Sequence, residues 1–170
     1  MDHYKKAYIA GGCFWGMEDL FRLRPGIKDT EVGYQGGQND HPTYSNHPGH
    51  AEGIELTYDP NITSFKEILD YFFRMHDPTT IDRQGNDKGS SYRSAIFYQD
   101  EEEKAIAKEI IEIVDASGKW QGKVVTTLEP YSTFWPAEEY HQDYLVKNPN
   151  GYTCHYLRFE DSFIKEAASR

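Results

Sequence analysis

The chain has 170 residues and carries 28 acidic against 18 basic side chains, a formal net charge of -10 at pH 7. Such a surface repels phosphate backbones and anionic lipid headgroups, so neither nucleic acid nor a membrane is an expected partner. Hydrophobic residues make up 38% of the sequence, which is enough to fill one core, and we expect residues 1–170 to form a single domain.

The ends of the chain indicate its compartment and redox state. The stretch before Gly11-Gly12 is too short and too polar for a signal peptide or a membrane span, so we expect a cytoplasmic protein. The two cysteines, Cys13 and Cys154, are expected to be thiols, although a transient catalytic disulfide stays open. A polar surface without a heptad pattern favours a monomer.

The first predicted elements are a strand over Tyr4–Ala10 and a helix over Phe14–Leu23, separated by Gly11-Gly12. Paired glycines accept backbone dihedrals closed to other residues, which favours a sharp turn at that point. Pro25-Gly26 ends the helix, because proline cannot continue its hydrogen-bond ladder. The next strand is predicted over Thr30–Tyr34.

A long loop follows over Gln35–Gly49, where Gly, Asn, Asp, His and Pro dominate, and loops of this length are often functional. Gly53–Tyr58 alternates apolar and polar residues, which predicts a half-buried strand. Ser64 and Glu67 have capping-box spacing, and the apolar residues of Phe65–Phe73 recur at helical intervals. The sequence therefore predicts an amphipathic helix there.

The rest of the chain mixes strands and helices irregularly. We predict a polar loop over Asp77–Ser91, a strand over Arg93–Tyr98, a helix over Glu101–Ala116, a strand over Lys123–Leu128 and a short helix over Ala137–Val146. This order favours an α+β fold over a doubly wound parallel sheet. We expect a two-layer sandwich, one mixed sheet with packed helices around a ferredoxin-like core.

Cys13 is the first candidate for chemistry. It lies where a strand gives way, through two glycines, to the first turn of a helix, so unpaired N–H groups and the positive end of the helix dipole lie near its sulfur. That environment favours the thiolate, the reactive form of cysteine. The alternative is a buried structural cysteine that behaves as a small hydrophobe.

Phe14 and Trp15 follow Cys13 directly and would place two aromatic faces beside its sulfur. Such an apolar wall suits a methyl-bearing group, whereas the alternative is that both rings belong to the core. Two large rings after a glycine-flanked cysteine favour a shaped pocket.

Several motifs, taken in order, resemble one known family. Gly11-Gly12-Cys13-Phe14-Trp15-Gly16 is similar to the signature of the A-type peptide methionine sulfoxide reductases. The similarity continues in Gly49-His50-Ala51-Glu52, Tyr58-Asp59-Pro60, His76-Asp77-Pro78-Thr79, Gln84-Gly85-Asn86-Asp87, Tyr92-Arg93-Ser94 and Ala137-Glu138-Glu139-Tyr140-His141-Gln142. It therefore covers most of the chain.

The resemblance implies reduction of methionine-S-sulfoxide, protein-bound or free, by thiolate attack of Cys13. The sulfoxide oxygen needs an acid, because an unprotonated oxide leaves poorly, and a carboxyl in apolar surroundings stays protonated near neutral pH. The family's acid matches Glu52, and its two tyrosine donors to the oxygen match Tyr44 and Tyr92. Asp87 is expected to orient the site. Each could instead be an ordinary loop carboxylate, a packing tyrosine or a turn residue.

Attack would release methionine and leave Cys13 as a sulfenic acid, which condenses readily with a second thiol. The resemblance implies that Cys154 is this resolving cysteine and that thioredoxin opens the resulting disulfide. The chain lacks the longer glycine-rich tails in which other members place resolving cysteines. No cofactor is expected.

The same residues allow three other interpretations. A zinc site using Cys13, Cys154, His155 and another histidine lacks any Cys-x-x-Cys pair or regular histidine spacing, so we expect no metal. A peroxide-reducing thiol enzyme would share the sulfenic acid and the resolving step. A binding module for methionine or peptides would need no reactive thiol, so alkylation of Cys13 would leave its binding intact.

Overall fold

The computed structural model describes residues 3–153 and 155–169. The predicted resolving cysteine, Cys154, lies outside the described residues. In the described part of the chain, six strands form one sheet, and a second sheet has two strands. The spatial order in the first sheet is Thr127–Pro130, Ser94–Tyr98, Lys5–Gly11, Ala51–Tyr58, Ile27–Gln35 and Trp135–Pro136, and the second sheet pairs Arg83–Gln84 with Asp87–Lys88.

The strands are β1 (Lys5–Gly11), β2 (Ile27–Gln35), β3 (Ala51–Tyr58), β4 (Arg83–Gln84), β5 (Asp87–Lys88), β6 (Ser94–Tyr98), β7 (Thr127–Pro130) and β8 (Trp135–Pro136). The helices are α1 (Phe14–Arg22), α2 (Phe65–Met75), α3 (Glu101–Ser117), α4 (Tyr144–Lys147) and α5 (Phe163–Ala168). Two 3-10 turns cover Ser90–Tyr92 and Glu139–His141.

The centre of the sheet has ferredoxin-like connectivity. The chain order β1-α1-β2-β3-α2-β6 gives the sheet order β6-β1-β3-β2, with each neighbouring pair antiparallel. β7 then pairs in parallel with β6, which makes the sheet mixed. The predicted α+β fold is confirmed.

The main core lies between one face of this sheet and the helices. Its largest members come from α1, α2 and the central strands, and Ile54, Leu56 and Phe72 are each at most 1% exposed. Burying one such side chain is worth about 1.5–3 kcal/mol. The hydroxyl of Ser64 caps α2 by accepting the N–H of Glu67 at 3.1 Å, so the N-cap half of the predicted capping box is present.

The predicted helix over Ala137–Val146 is wrong. The segment forms a 3-10 turn and then the short α4, and Asp143 between them is left-handed at φ 51°. The Gln142 amide pairs with both backbone groups of Val32 at 2.9 Å, as a strand would. These bonds to β2 outweigh the local preference for a helix, because they satisfy the Val32 N–H and add to the bond that the Val32 carbonyl accepts from the Ala137 N–H at 2.9 Å.

Smaller differences lie in the other loops. The predicted loop Asp77–Ser91 contains the β4–β5 hairpin, and the strand predicted over Lys123–Leu128 lies later in the chain, over Thr127–Pro130. Helix α5 was not predicted; its Phe163 is fully buried in the main core. None of the helices in the described ranges has the length and apolar character that crossing a membrane requires.

Candidate active site

Cys13 occupies the turn between β1 and α1. It is the N-cap residue of α1, and Gly12 before it has φ 99°, a conformation that favours glycine. A Cβ on Gly12 would lie 2.6 Å from the side chain of Gln84, so the turn also needs glycine for space. The Cys13 side chain is 6% exposed and lies at the helix N-terminus, as the sequence predicts.

Glu52 lies on β3 beside this turn. Its Oε1 accepts the backbone N–H of Phe14 at 3.2 Å, which places the carboxyl next to the residue that follows Cys13. The side chain is 2% exposed. Burial, supported by the negative charge of Asp87, raises the pKa of Glu52 to about 8, although the bond from Phe14 opposes the rise. The carboxyl is therefore mostly protonated at pH 7.

Tyr44 and Tyr92 approach the same point from two loops. Burial raises the pKa of each hydroxyl, and the charges of Glu52 and Cys13 raise both further. The two hydroxyls also lie close enough for each to influence the pKa of the other. The structure thus brings both predicted tyrosines together with the cysteine and the glutamate.

The two aromatic residues after Cys13 have different surroundings. Phe14 is 1% exposed and packs on the Tyr34 ring at 5.7 Å, whereas Trp15 is half-buried. Trp15 stacks on Tyr144 at 3.8 Å and donates its indole N–H to Nδ1 of His141 at 2.9 Å. The two predicted possibilities, core packing and a pocket wall, therefore each apply to one ring. Phe14 belongs to the core, and Trp15 forms part of an accessible aromatic wall.

Asp87 lies in the β4–β5 hairpin, where Oδ2 accepts the hydroxyl of Tyr152 at 3.2 Å. Farther along the tail, His155 makes a 2.6 Å hydrogen bond from Nε2 to the carbonyl of Gly11. A Cβ on Gly16 would collide with Thr153 and His155. The tail residues on either side of position 154 therefore pack closely against the start of α1.

Sequence reasoning missed five residues that surround the predicted ones. Glu138 and His141 lie in the Ala137–Gln142 motif and Tyr144 lies just after it, and this motif was given no role. Tyr34 lies directly before the long loop and His47 lies within it.

The described residues hold no group of three or more His, Cys, Asp or Glu side chains that could bind a metal ion. The site's chemistry is that of a cysteine at a helix N-terminus, a buried neutral carboxyl and two phenols beside an aromatic wall. This set can attack an electrophilic atom and donate protons or hydrogen bonds to an oxygen on it.

Comparison with known proteins agrees with this chemistry. The family model for peptide methionine sulfoxide reductase matches residues 5–169. The peptide methionine sulfoxide reductase MsrA of Nocardia farcinica is 61% identical over 169 residues, covering 99% of each chain. Among solved structures, reduced Mxr1 of Saccharomyces cerevisiae has TM-score 0.85 and 39% identity, covering 92% of this chain and 93% of that one.

Mxr1 has also been solved in complex with Trx2, with TM-score 0.63 and 29% identity over 92% of this chain and 91% of that one. The family match and the identities extend over almost the whole chain, so they include the segments that carry Cys13 and Glu52. The chain belongs to the peptide methionine sulfoxide reductase family and is an oxidoreductase that reduces methionine sulfoxide.

Proposed function

We propose that the protein reduces methionine-S-sulfoxide, in proteins and free, with Cys13 as nucleophile and Glu52 as acid. The observation that carries the proposal is the position of Glu52: the bond from the Phe14 N–H holds its carboxyl one residue from the cysteine, and burial supports a neutral carboxyl there. A protonated acid beside a nucleophile is what sulfoxide cleavage requires.

In the first step the Cys13 thiolate attacks the sulfoxide sulfur. Glu52 gives its proton to the sulfoxide oxygen, and the hydroxyls of Tyr44 and Tyr92 donate hydrogen bonds to that oxygen as its charge grows. The methyl group lies against Trp15, and the half-buried position of this indole two residues after Cys13 supports the assignment. Burial favours the neutral form of Glu52 and the negative charge of Asp87 adds to this effect, which supports an orienting and tuning role for Asp87.

The oxygen atom passes from the methionine sulfur to Sγ of Cys13. Methionine sulfur gains two electrons, Cys13 loses two, and the products are methionine and a Cys13 sulfenic acid. The thiol of Cys154 then attacks this sulfenic acid, forming the Cys13–Cys154 disulfide and releasing water. The close packing of Thr153 and His155 on α1 supports an approach of this segment to Cys13.

Thioredoxin would return the disulfide to two thiols by thiol exchange, becoming a disulfide itself. The complex of Mxr1 with Trx2 supports this partner. The proposal also includes a single-domain, monomeric protein of the cytoplasm, consistent with a polar surface of net charge -10.

The test is an assay on separated S and R epimers of methionine sulfoxide. Reduced protein without a recycling system should convert one equivalent of the S epimer and essentially none of the R epimer. Cys154→Ser should keep this first equivalent but slow steady-state turnover with thioredoxin. Equal rates on both epimers contradict the stereochemistry, and an unchanged thioredoxin-driven rate contradicts the resolving role.

A further inference from the structure

His47 links the two loops that carry the active-site tyrosines. Its Nδ1 lies 2.8 Å from the carbonyl oxygen of Thr43, and its Nε2 lies 2.8 Å from Oγ of Ser91. A carbonyl only accepts, so Nδ1 carries the proton, and in the neutral ring Nε2 accepts the Ser91 hydroxyl. The imidazole therefore joins the residue before Tyr44 to the residue before Tyr92.

The turn on which Tyr44 lies is itself well defined. Thr43 and Asn46 exchange both backbone hydrogen bonds, at 3.0 and 3.1 Å, so Tyr44 lies in a closed four-residue turn. The backbone N–H of Tyr44 donates to Oε2 of Glu138 at 3.0 Å. A displacement of Thr43 would therefore move Tyr44 with it.

The His47 ring is held in plane by Tyr34. The two rings stack at 4.9 Å with an angle of 18°, and Tyr34 is fully buried. The Tyr34 hydroxyl donates to Oε1 of Glu138 at 2.8 Å, and the other oxygen of this carboxylate binds the Tyr44 backbone. His47, Tyr34, Glu138 and the Tyr44 turn thus form a closed ring of contacts.

We propose that His47 is a positioning residue that sets the separation of the Tyr44 and Tyr92 hydroxyls, so that both reach one sulfoxide oxygen. The inference rests on the proposed function, in which these two phenols bind that oxygen. Donors act at about 2.7–3.1 Å from a developing oxyanion, and a misplacement of about 1 Å can cost about a hundredfold in rate. A rigid imidazole fixes the span between its two nitrogens.

The loops have a second connection that keeps them folded without His47. Nη1 of Arg93 donates to the carbonyls of Gly49 and Ser90, each at 3.0 Å. His47→Ala should therefore change the alignment of the tyrosines without unfolding the site.

The experiment is a double-mutant cycle on His47→Ala and Ser91→Ala, in a Cys154→Ser background so that Cys13 is the only thiol. The first reading is the single-turnover rate on methionine-S-sulfoxide, and the second is the rate of Cys13 alkylation by iodoacetamide. Ser90→Ala is the matched control, since it removes a neighbouring hydroxyl and leaves the His47–Ser91 bond in place.

Each single variant should reduce the sulfoxide rate on the order of tenfold, because the bonds of Arg93 keep the displacement below the roughly 1 Å that costs about a hundredfold. The double variant should be no slower than the slower single one, and alkylation should stay within about twofold of the parent. Additive losses, an unchanged sulfoxide rate, or a parallel fall in alkylation would overturn the role of His47.

Failure of the proposed function gives a different pattern. If Tyr44→Phe and Tyr92→Phe react at the parent single-turnover rate, the phenols do not bind the oxygen, and the proposed function loses its donors. If those variants are slow but His47→Ala is not, only the positioning role is wrong. With both phenols replaced, His47→Ala should slow the reaction no further.

Discussion

A network of buried histidines and the buried carboxyl of Glu52 both lie near the Gly11-Gly12 turn, and their hydrogen bonding differs. In the histidine network (His76, Ser94, Thr126 and His155), both ring nitrogens of His76 are bonded, to Phe72 at 2.6 Å and to Ser94 at 2.8 Å. Ser94 continues to Thr126 at 2.7 Å, and His155 bonds Gly11. Burial lowers the pKa of His76 to about 3 and of His155 to about 4.

Glu52 differs from this network. Among the described residues it accepts only the N–H of Phe14, although its two oxygens could accept several bonds. Both groups are neutral at pH 7, but the histidines are neutral and bonded whereas the carboxyl is neutral and under-bonded. Bonded buried groups stabilise the fold, and a buried carboxyl with few bonds keeps its proton available for a substrate. The difference separates structural from reactive polar residues.

The largest predicted effect is the loss of activity when the reactive cysteine is replaced. Cys13→Ser should lower single-turnover sulfoxide reduction by at least roughly a thousandfold, because a serine hydroxyl at neutral pH is a far poorer nucleophile than a thiolate. Rapid-quench detection of methionine measures it, with Cys154→Ser as the thiol-removal control that keeps the first turnover. Near-parental turnover by Cys13→Ser would remove the nucleophile.

Glu52→Gln should lower the single-turnover rate at pH 7 by about a hundredfold, because the amide occupies the site but donates no proton. In the parent, the rate should fall as pH rises through about 8, where Glu52 loses its proton, and this alkaline limb should disappear in the variant. A pH–rate profile checks both effects. An identical alkaline limb in the two proteins would assign it to another group.

Glu52→Gln should also change how the stability of the protein depends on pH. The folded-state pKa of Glu52, about 8, exceeds its ordinary 4.5, so its contribution to stability is complete below pH 4.5 and is lost as pH rises through 8. The free energy of unfolding of Glu52→Gln minus that of the parent should therefore increase by about 2 kcal/mol from pH 6 to pH 8. Urea unfolding at both pH values measures this, and an equal difference at the two would contradict the buried neutral carboxyl.

The smallest effect on catalysis is expected from a substitution in the histidine network. His76→Ala should cost about 2–4 kcal/mol of stability, because it leaves polar partners unsatisfied and opens a cavity. The sulfoxide rate per folded molecule should change less than about threefold. Thermal unfolding and active-site titration measure these, with exposed His3→Ala as control. Unchanged stability would mean that the bonds of His76 contribute nothing to the fold.

The sequence indicated the elements whose pattern is local. The apolar stripe and Ser64–Glu67 spacing predicted α2 because they act within a few residues, and the strands β1, β3 and β6 were found nearly at their observed bounds. Cys13 could be selected for a similar reason, since the glycine pair and the following helix are adjacent to it. Glu52, Tyr44 and Tyr92 were selected only through the family resemblance.

The segment after Ala137 could not be predicted, because its bonds are made to distant residues. Gln142 pairs with Val32, and Glu138 binds Tyr34 and the backbone of Tyr44, about a hundred residues earlier in the chain. A local propensity contains no information about such partners.

What the sequence determined by itself is the α+β framework, the turn that carries Cys13 at a helix N-terminus, and the family. Only the tertiary structure decided the protonation of Glu52, the separate surroundings of Phe14 and Trp15, and the link from His47 to both tyrosine loops. The physical reason is that burial, charge and hydrogen bonding depend on which distant residues meet in space.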